Sequence, residues 1–298
     1  LNSHESLTDQ PNDTPWGCDG QFGEVTPVLE KDGKYIYDGP FPCFTEYGTI
    51  ADLLDPAHVS WKYYVDRELS PTGNTGDFSG DVWNGYDAIA KVRCKTWKLP
   101  IKGPNDCHGY GPDWGNISFP NSSVFSDIKG GTLPAVSWVI PSLKDSDHPQ
   151  SGCSGGPRWV SSVVNAIGES KYWNTTAVIV LWDDWGGWYD PVPPPQTNYT
   201  SLGFRVGTVV ISPWVRPNTV VHTQYEFGSI LKFIEQNFGL GSLHTTDETS
   251  TSIGDMFDFS QKPTKFAPEE PLPPKATCSN GSGVTAQQII KDDGGVPE

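Results

Sequence analysis

Asp183 and Asp184 stand side by side at the end of the apolar run "TTAVIVLWDD", residues 175–184, and Gly186 and Gly187 follow at once. Two adjacent carboxylates at a strand end can give one or two hard oxygen ligands to a divalent cation, and the glycines let the backbone turn sharply beside such an ion. Without a counter-ion the two charges repel, and one pKa rises. The plainer alternative is a capped turn, with one carboxylate bonded to backbone amides. His148, in the polar loop "LKDSDHPQSG", can donate to a phosphoryl oxygen or ligate a metal, or it can be a solvated loop residue. His4, in "LNSHES", is open in the same way, whereas His222 and His244 read as structural or exposed and His58 and His108 have no context that favours function. "SGCSGGP", residues 151–157, lacks the lysine of a phosphate-binding P-loop, and the chain has no HExxH helix or EF-hand loop.

The elements that must position these residues follow from periodicity. "TIADLL" predicts a short helix capped by Thr49, with Ile50, Leu53 and Leu54 inward and Pro56 limiting its length. "VSWKYYV" predicts a strand with Val59, Trp61, Tyr63 and Val65 on one face. Residues 70–132 read as loop, with a short helix in "GYDAIAKVRCKTW"; a loop region this long is functional or pinned by disulfides. "LPAVSWVIP" reads as a buried strand, and "PRWVSSVVNAIGESKYW" as an amphipathic helix carrying Val160, Val163, Val164 and Ile167 on one stripe. "TAVIVLWDD" has the near-continuous apolar pattern of a strand inside a sheet covered on both faces. "RVGTVVISPWV" is a further strand, and "YEFGSILKFIEQNFGL" a helix with Phe227, Ile230, Leu231 and Ile234 inward, stopped at Gly239. The alternation indicates an α/β fold, a loop-rich three-layer sandwich with a largely parallel central sheet, built as one domain over 1–298 with 261–298 as a surface tail.

Composition bounds the function class. The chain has 298 residues, a net charge of −16 and a pI near 4.6, which argues against a nucleic-acid partner or a polybasic membrane anchor. No apolar run approaches the roughly 20 residues of a membrane-spanning helix, so no transmembrane segment is expected. Cys18, Cys43, Cys94, Cys107, Cys153 and Cys278 include no CxxC pair and read as up to three disulfides in an oxidising compartment, with buried thiols as the alternative. N-x-[S/T] sequons begin at Asn12, Asn116, Asn121, Asn174, Asn198 and Asn280, and 32 Gly with 27 Pro point to a loop-rich extracellular protein. The expected location is secreted.

Five stretches in order, "TIADLLDPAHVSWKYYV", "LPAVSWVIPSLKDSDHP", "WNTTAVIVLWDDWGGWYDPVPPP", "GFRVGTVVISPWV" and "YEFGSILKFIEQNFGL…DMFDF", resemble the phosphoesterase family from about residue 11 to residue 260. That family contains bacterial-type phospholipases C and acid phosphatases and is similar in fold to the alkaline phosphatase superfamily. The resemblance implies a metal-dependent phosphoric ester hydrolase in which Asp183 and Asp184 ligate a divalent metal ion, while His148 and His4 contact the phosphoryl group of a phosphate-ester substrate. Two departures stand out. The family usually reads "YDHVPPP" where this chain has Pro191 in place of the histidine, and the family's Glu-Asn metal segment and Ser/Thr nucleophile are not found. "LNSHESL" looks like the end of the nucleophile's stretch, which would put the nucleophile just before Leu1, and Ser3 is wrongly spaced to replace it. The chain then corresponds to the C-terminal two-thirds of the family domain, with an N-terminal fragment of the same precursor or a second copy as possible partner. The rival expectation is a secreted binding or structural protein that keeps the fold without catalysis.

Overall fold

The computed structural model describes residues 5–6, 17–36, 38–66, 84–142, 145–147, 155–196 and 202–268. Ten strands are seen: β1 (Glu5–Ser6), β2 (Val28–Leu29), β3 (Tyr35–Ile36), β4 (Trp61–Tyr64), β5 (Thr96–Trp97), β6 (Cys107–His108), β7 (Ile117–Ser118), β8 (Val136–Val139), β9 (Val178–Leu181) and β10 (Thr208–Ile211). The helices are α1 (Ala51–Leu54), α2 (Ala90–Arg93), α3 (Ser123–Gly130), α4 (Gly156–Gly168), α5 (Phe227–Phe238) and α6 (Thr246–Thr249).

The centre is a parallel sheet in the order β7-β4-β8, with Trp61 opposite Val136 and Tyr64 opposite both Val139 and Ser118. Strand alternation sends neighbouring residues of β4 to opposite faces. Trp61, Tyr63 and Val65 pack with Leu54 of α1, Tyr86, Trp114, and Leu231 and Ile234 of α5. Tyr64 enters a second cluster with Val124 and Ile128 of α3 and Val163 and Ile167 of α4. The sheet is therefore covered on both faces, as a mixed α/β sandwich requires. At the edge of the second cluster the Tyr64 hydroxyl donates to Asp127 Oδ2 at 2.6 Å, and Lys62 reaches the same oxygen at 2.6 Å.

Both longer helices carry the expected inward stripes, with differences. On α4, Val163, Val164 and Ile167 are buried and Val160 is half-buried. On α5, Leu231 and Ile234 pack inward, but Phe227 is 51% exposed. As the first helical residue it lies at the mouth of a capping box, in which Glu226 and Ser229 exchange side-chain and backbone bonds. Gly239 ends this helix at φ 63°. The stretch 84–132 is more ordered than a loop reading suggests. Arg93 is buried at its centre, pairing with Asp19 and Asp87 under the rings of Tyr110 and Trp114.

Cys18–Cys43 and Cys94–Cys107 form disulfides that pack together in a small core of their own. Cys153 and Cys278 lie outside the described residues. Asn121 is buried and donates from its side-chain amide to the Ile140 carbonyl at 2.9 Å, so that sequon is closed in the folded chain. Residues 261–268 run over the surface, with Gln261 Nε2 on the Pro213 and Val215 carbonyls at 3.0 Å each and Phe266 against Trp173; the rest of the tail lies outside the described residues.

β9 departs most from its expected setting. Instead of lying inside a parallel sheet, it pairs among the described residues only with β10, antiparallel, from Val178 opposite Ile211 to Leu181 opposite Thr208. All four of its apolar residues are half-buried.

Candidate active site

β9 delivers Asp183 and Asp184 to solvent, and both are exposed. Asp184 Oδ1 accepts the Gly186 N–H at 2.6 Å. Gly186 and Gly187 sit at φ 59° and 75°, the left-handed region that costs a side-chain-bearing residue strain. The glycines thus serve as expected, turning the chain immediately after the carboxylates, and Asp184 caps that turn. The capped-turn reading holds for one oxygen of Asp184, and both side chains are exposed.

Burial chiefly pushes the Tyr63 hydroxyl pKa up; a hydrogen bond with Gly85 opposes this, and the Asp183 charge adds to it. The Tyr63 ring stands edge-on to Tyr86 at 5.3 Å. Ligands of open α/β sheets collect beyond the carboxyl ends of strands.

The loop after the carboxylates is held from outside. Asp190 takes Arg205 in a two-pronged pair, Nε to Oδ2 at 2.6 Å and Nη2 to Oδ1 at 2.8 Å, and also accepts the Val192 N–H at 3.1 Å. The Arg205 guanidinium chiefly holds the Asp190 carboxyl far below the usual range. Phe204 packs on Trp185 at 5.0 Å and on Tyr189 at 5.7 Å, closing the loop into a hairpin of rings. Pro191 follows this clamp directly, and its side chain offers no ligand atom. The Asp190–Arg205 pair was missed from sequence. Its signal was a carboxylate immediately before a proline run, with a lone arginine just ahead of the next strand.

His148 and His4 lie outside the described residues. Asp147, just before His148, has φ 66°, and its carboxylate abuts Gly156, where an added Cβ would come within 2.4 Å of Oδ1. Asp147 is thus seated on the N-terminus of α4.

Asp183 and Asp184 suit a hard divalent cation in type and openness, yet two carboxylates are fewer than the roughly six oxygens such ions take. Among the described residues, only the sulfurs of Cys18, Cys43 and Cys94 gather three potential ligand atoms closely, and all three are consumed in disulfides.

Comparison with known proteins gives this arrangement its context. The sequence profile of the phosphoesterase family matches residues 38–241, which hold both carboxylates and the parallel sheet. The chain belongs to the phosphoesterase family. Within it, the chain is 28% identical over 247 residues to phospholipase C B of Mycobacterium tuberculosis, an alignment covering 74% of this chain and 44% of that protein. It is 26% identical to the non-hemolytic phospholipase C of Pseudomonas aeruginosa, covering 91% of this chain and 40% of that protein. Similarity to non-specific phospholipase C5 of Arabidopsis thaliana is 31% over 174 residues, 48% of this chain and 33% of that protein. This phosphoesterase chain thus spans less than half the length of these relatives. Among the described residues, no helix is long and apolar enough to cross a membrane.

Proposed function

We propose that the chain forms most of a single catalytic domain of a secreted, metal-dependent phosphoric ester hydrolase of the phospholipase C or acid phosphatase type. The observation that supports this best is the exposed Asp183–Asp184 pair at the carboxyl end of β9, inside the family match. Asp183 and Asp184 would hold a divalent cation, and Gly186 and Gly187 keep the backbone clear of it. When bound, the ion neutralises phosphate charge and stabilises the oxygens of the transition state. His148 would contact a phosphoryl oxygen, with His4 as a second contact. The Asp190–Arg205 clamp holds the carboxylate loop so that little reorganisation is needed when substrate arrives. Hydrolysis adds water across the P–O ester bond, and the leaving alcohol takes up a proton. The remaining metal ligands and the nucleophile would come from an N-terminal fragment of the same precursor or a second copy.

A second reading has its own support: a secreted binding protein that has kept the fold without catalysis. Pro191 in place of the family histidine and the two-ligand carboxylate site favour it.

Both readings meet one test. The purified chain is assayed on chromogenic phosphomonoesters and phosphodiesters and on phosphatidylcholine, across Mg2+, Mn2+, Ca2+ and Zn2+. An Asp183→Asn/Asp184→Asn variant is run in parallel. Metal-dependent turnover that disappears in the variant upholds the hydrolase. Absence of turnover, together with absence by calorimetry of any divalent-cation binding that the variant loses, leaves the binding protein, because a hydrolase domain that only lacks its nucleophile still holds the ion.

A further inference from the structure

Three of the N-x-[S/T] sequons fall on described residues, and the fold treats them differently. Asn121 is buried, with its side-chain amide on the Ile140 carbonyl at 2.9 Å. Asn116 is half-buried between Trp114 and Ile117, both of them buried. Asn174 is exposed, and its side-chain amide makes no hydrogen bond among the described residues. Asn12, Asn198 and Asn280 lie outside those residues. A linked glycan is bulky and strongly hydrated, so the folded chain tolerates one only where no neighbour fills the space. Asn174 meets that condition, and Asn121 does not.

The backbone at Asn174 is a small, closed turn. Asn174 is the middle residue of the single 3-10 turn Trp173–Thr175 that links α4 to β9. The hydroxyls of Thr175 and Thr176 both donate to the Tyr172 carbonyl, at 3.2 and 2.8 Å, which closes the turn on its inner side. A second feature surrounds the asparagine. Trp214 Nε1 donates to the Asn174 carbonyl at 2.9 Å, and its ring lies 6.0 Å from that of Phe259, which is 67% exposed. Trp173 Nε1 donates to the Thr264 carbonyl at 2.8 Å, with its ring 4.9 Å from that of Phe266. Four aromatic rings thus gather around one exposed asparagine, and one of the four is largely bare to water. Such a patch needs a cover, and the C–H faces of a sugar suit the negative face of an aromatic ring.

We propose that Asn174 carries an N-linked oligosaccharide and that this glycan covers the Trp214–Phe259 surface. The donor is an oligosaccharide joined through N-acetylglucosamine to a lipid diphosphate. The Asn174 side-chain nitrogen bonds to the anomeric carbon as the bond from that carbon to the diphosphate oxygen breaks. The diphosphate leaves with the electron pair, the amide gives up one proton, and nothing is oxidised or reduced. β9 and its extended flanks, at about 3.3 Å per residue, then hold the glycan roughly 20 Å from Asp183, clear of the carboxylates. The proposal rests on the secreted location in the reading above and not on catalysis.

The test is site mapping on the full chain, expressed in yeast behind a cleavable leader. Protein from the medium, and any that stays in the cells, is treated with peptide N-glycosidase in H2 18O, which leaves an 18O-labelled aspartate wherever a glycan stood. Peptide mass spectrometry should find the label at Asn174 and not at Asn121. Asn174→Gln keeps the exposed amide and should lower the intact mass by one glycan. Hydroxyl-radical footprinting should label Phe259 about twofold or more strongly in that variant than in the glycosylated chain. An unlabelled Asn174 would overturn the proposal, and so would label at Asn121 in folded protein, which would show that burial does not decide occupancy. Equal footprinting of Phe259 in the two proteins would overturn it as well. Turnover plays no part. A chain inactive on every ester but labelled at Asn174 refutes the hydrolase and keeps the glycan, whereas an active chain with an empty Asn174 does the reverse.

Discussion

Glu235 sits on the inward stripe of α5, only 6% exposed, and its Oε1 has no hydrogen-bond partner among the described residues. Its neighbour is Asp247, fully buried and anchored as an anion by Ser242, Thr245 and the Leu243 and Thr245 amides at 2.6–2.7 Å. Burial first, then the hydrogen bond and charge of Asp247, push the Glu235 carboxyl up from 4.5 to about 7, with Lys232 opposing weakly. The folded chain thus keeps a proton that the unfolded chain releases from about pH 4.5 upward. This stabilising term is fully present below pH 4.5 and is lost as pH rises through about 7. At about 1.4 kcal/mol per pH unit, the interval corresponds to about 3 kcal/mol. Glu235→Gln keeps a neutral donor to Asp247 and cannot ionise. Urea unfolding, followed by tryptophan fluorescence, should show variant and wild type nearly equal at pH 4.5. At pH 8 the variant should be the more stable by about 2–3 kcal/mol. A difference between the two proteins that stays constant from pH 4.5 to 8 would refute the reasoning.

Other perturbations have equally direct readouts. Arg93→Met leaves Asp19 and Asp87 as buried carboxylates without their cation and should cost about 3–5 kcal/mol in urea unfolding. Joint replacement of Cys94 and Cys107 by serine opens a 13-residue loop and should cost about 3 kcal/mol, with the Cys18–Cys43 bridge intact by mass spectrometry. Asp190→Asn releases a surface pair, so stability should scarcely move. Exchange at the Val192 and Arg205 amides should nevertheless rise, and if the site is catalytic, turnover should fall through loss of loop order.

How much of this was legible in the sequence depended on whether a residue's neighbours were near in the chain. The two faces of β4 were legible because alternation is local: Trp61, Tyr63 and Val65 had to part from Tyr64 whatever else the chain did. The glycine turn after Asp184 was legible for the same reason, since a left-handed backbone is a demand that two consecutive residues satisfy by themselves. Phe227 was misread because periodicity assigns a helix face without knowing where the core stops, and the first turn of α5 projects past it. Asp190 with Arg205, and Glu235 with Asp247, each join residues more than ten positions apart, and nothing in either partner's local pattern selects the other. Glu235 nevertheless left a trace, an acidic residue next to Ile234 and one turn from Leu231 on the inward face, and a charge in such a place requires a partner or a proton. β9 posed the hardest case. Its unbroken apolar run fits an interior strand of a parallel sheet, yet among the described residues it pairs with β10 alone, antiparallel, and its four apolar residues stay half-buried. Hydrophobicity states that a strand avoids water, but it does not state which strand pairs with it or in which direction.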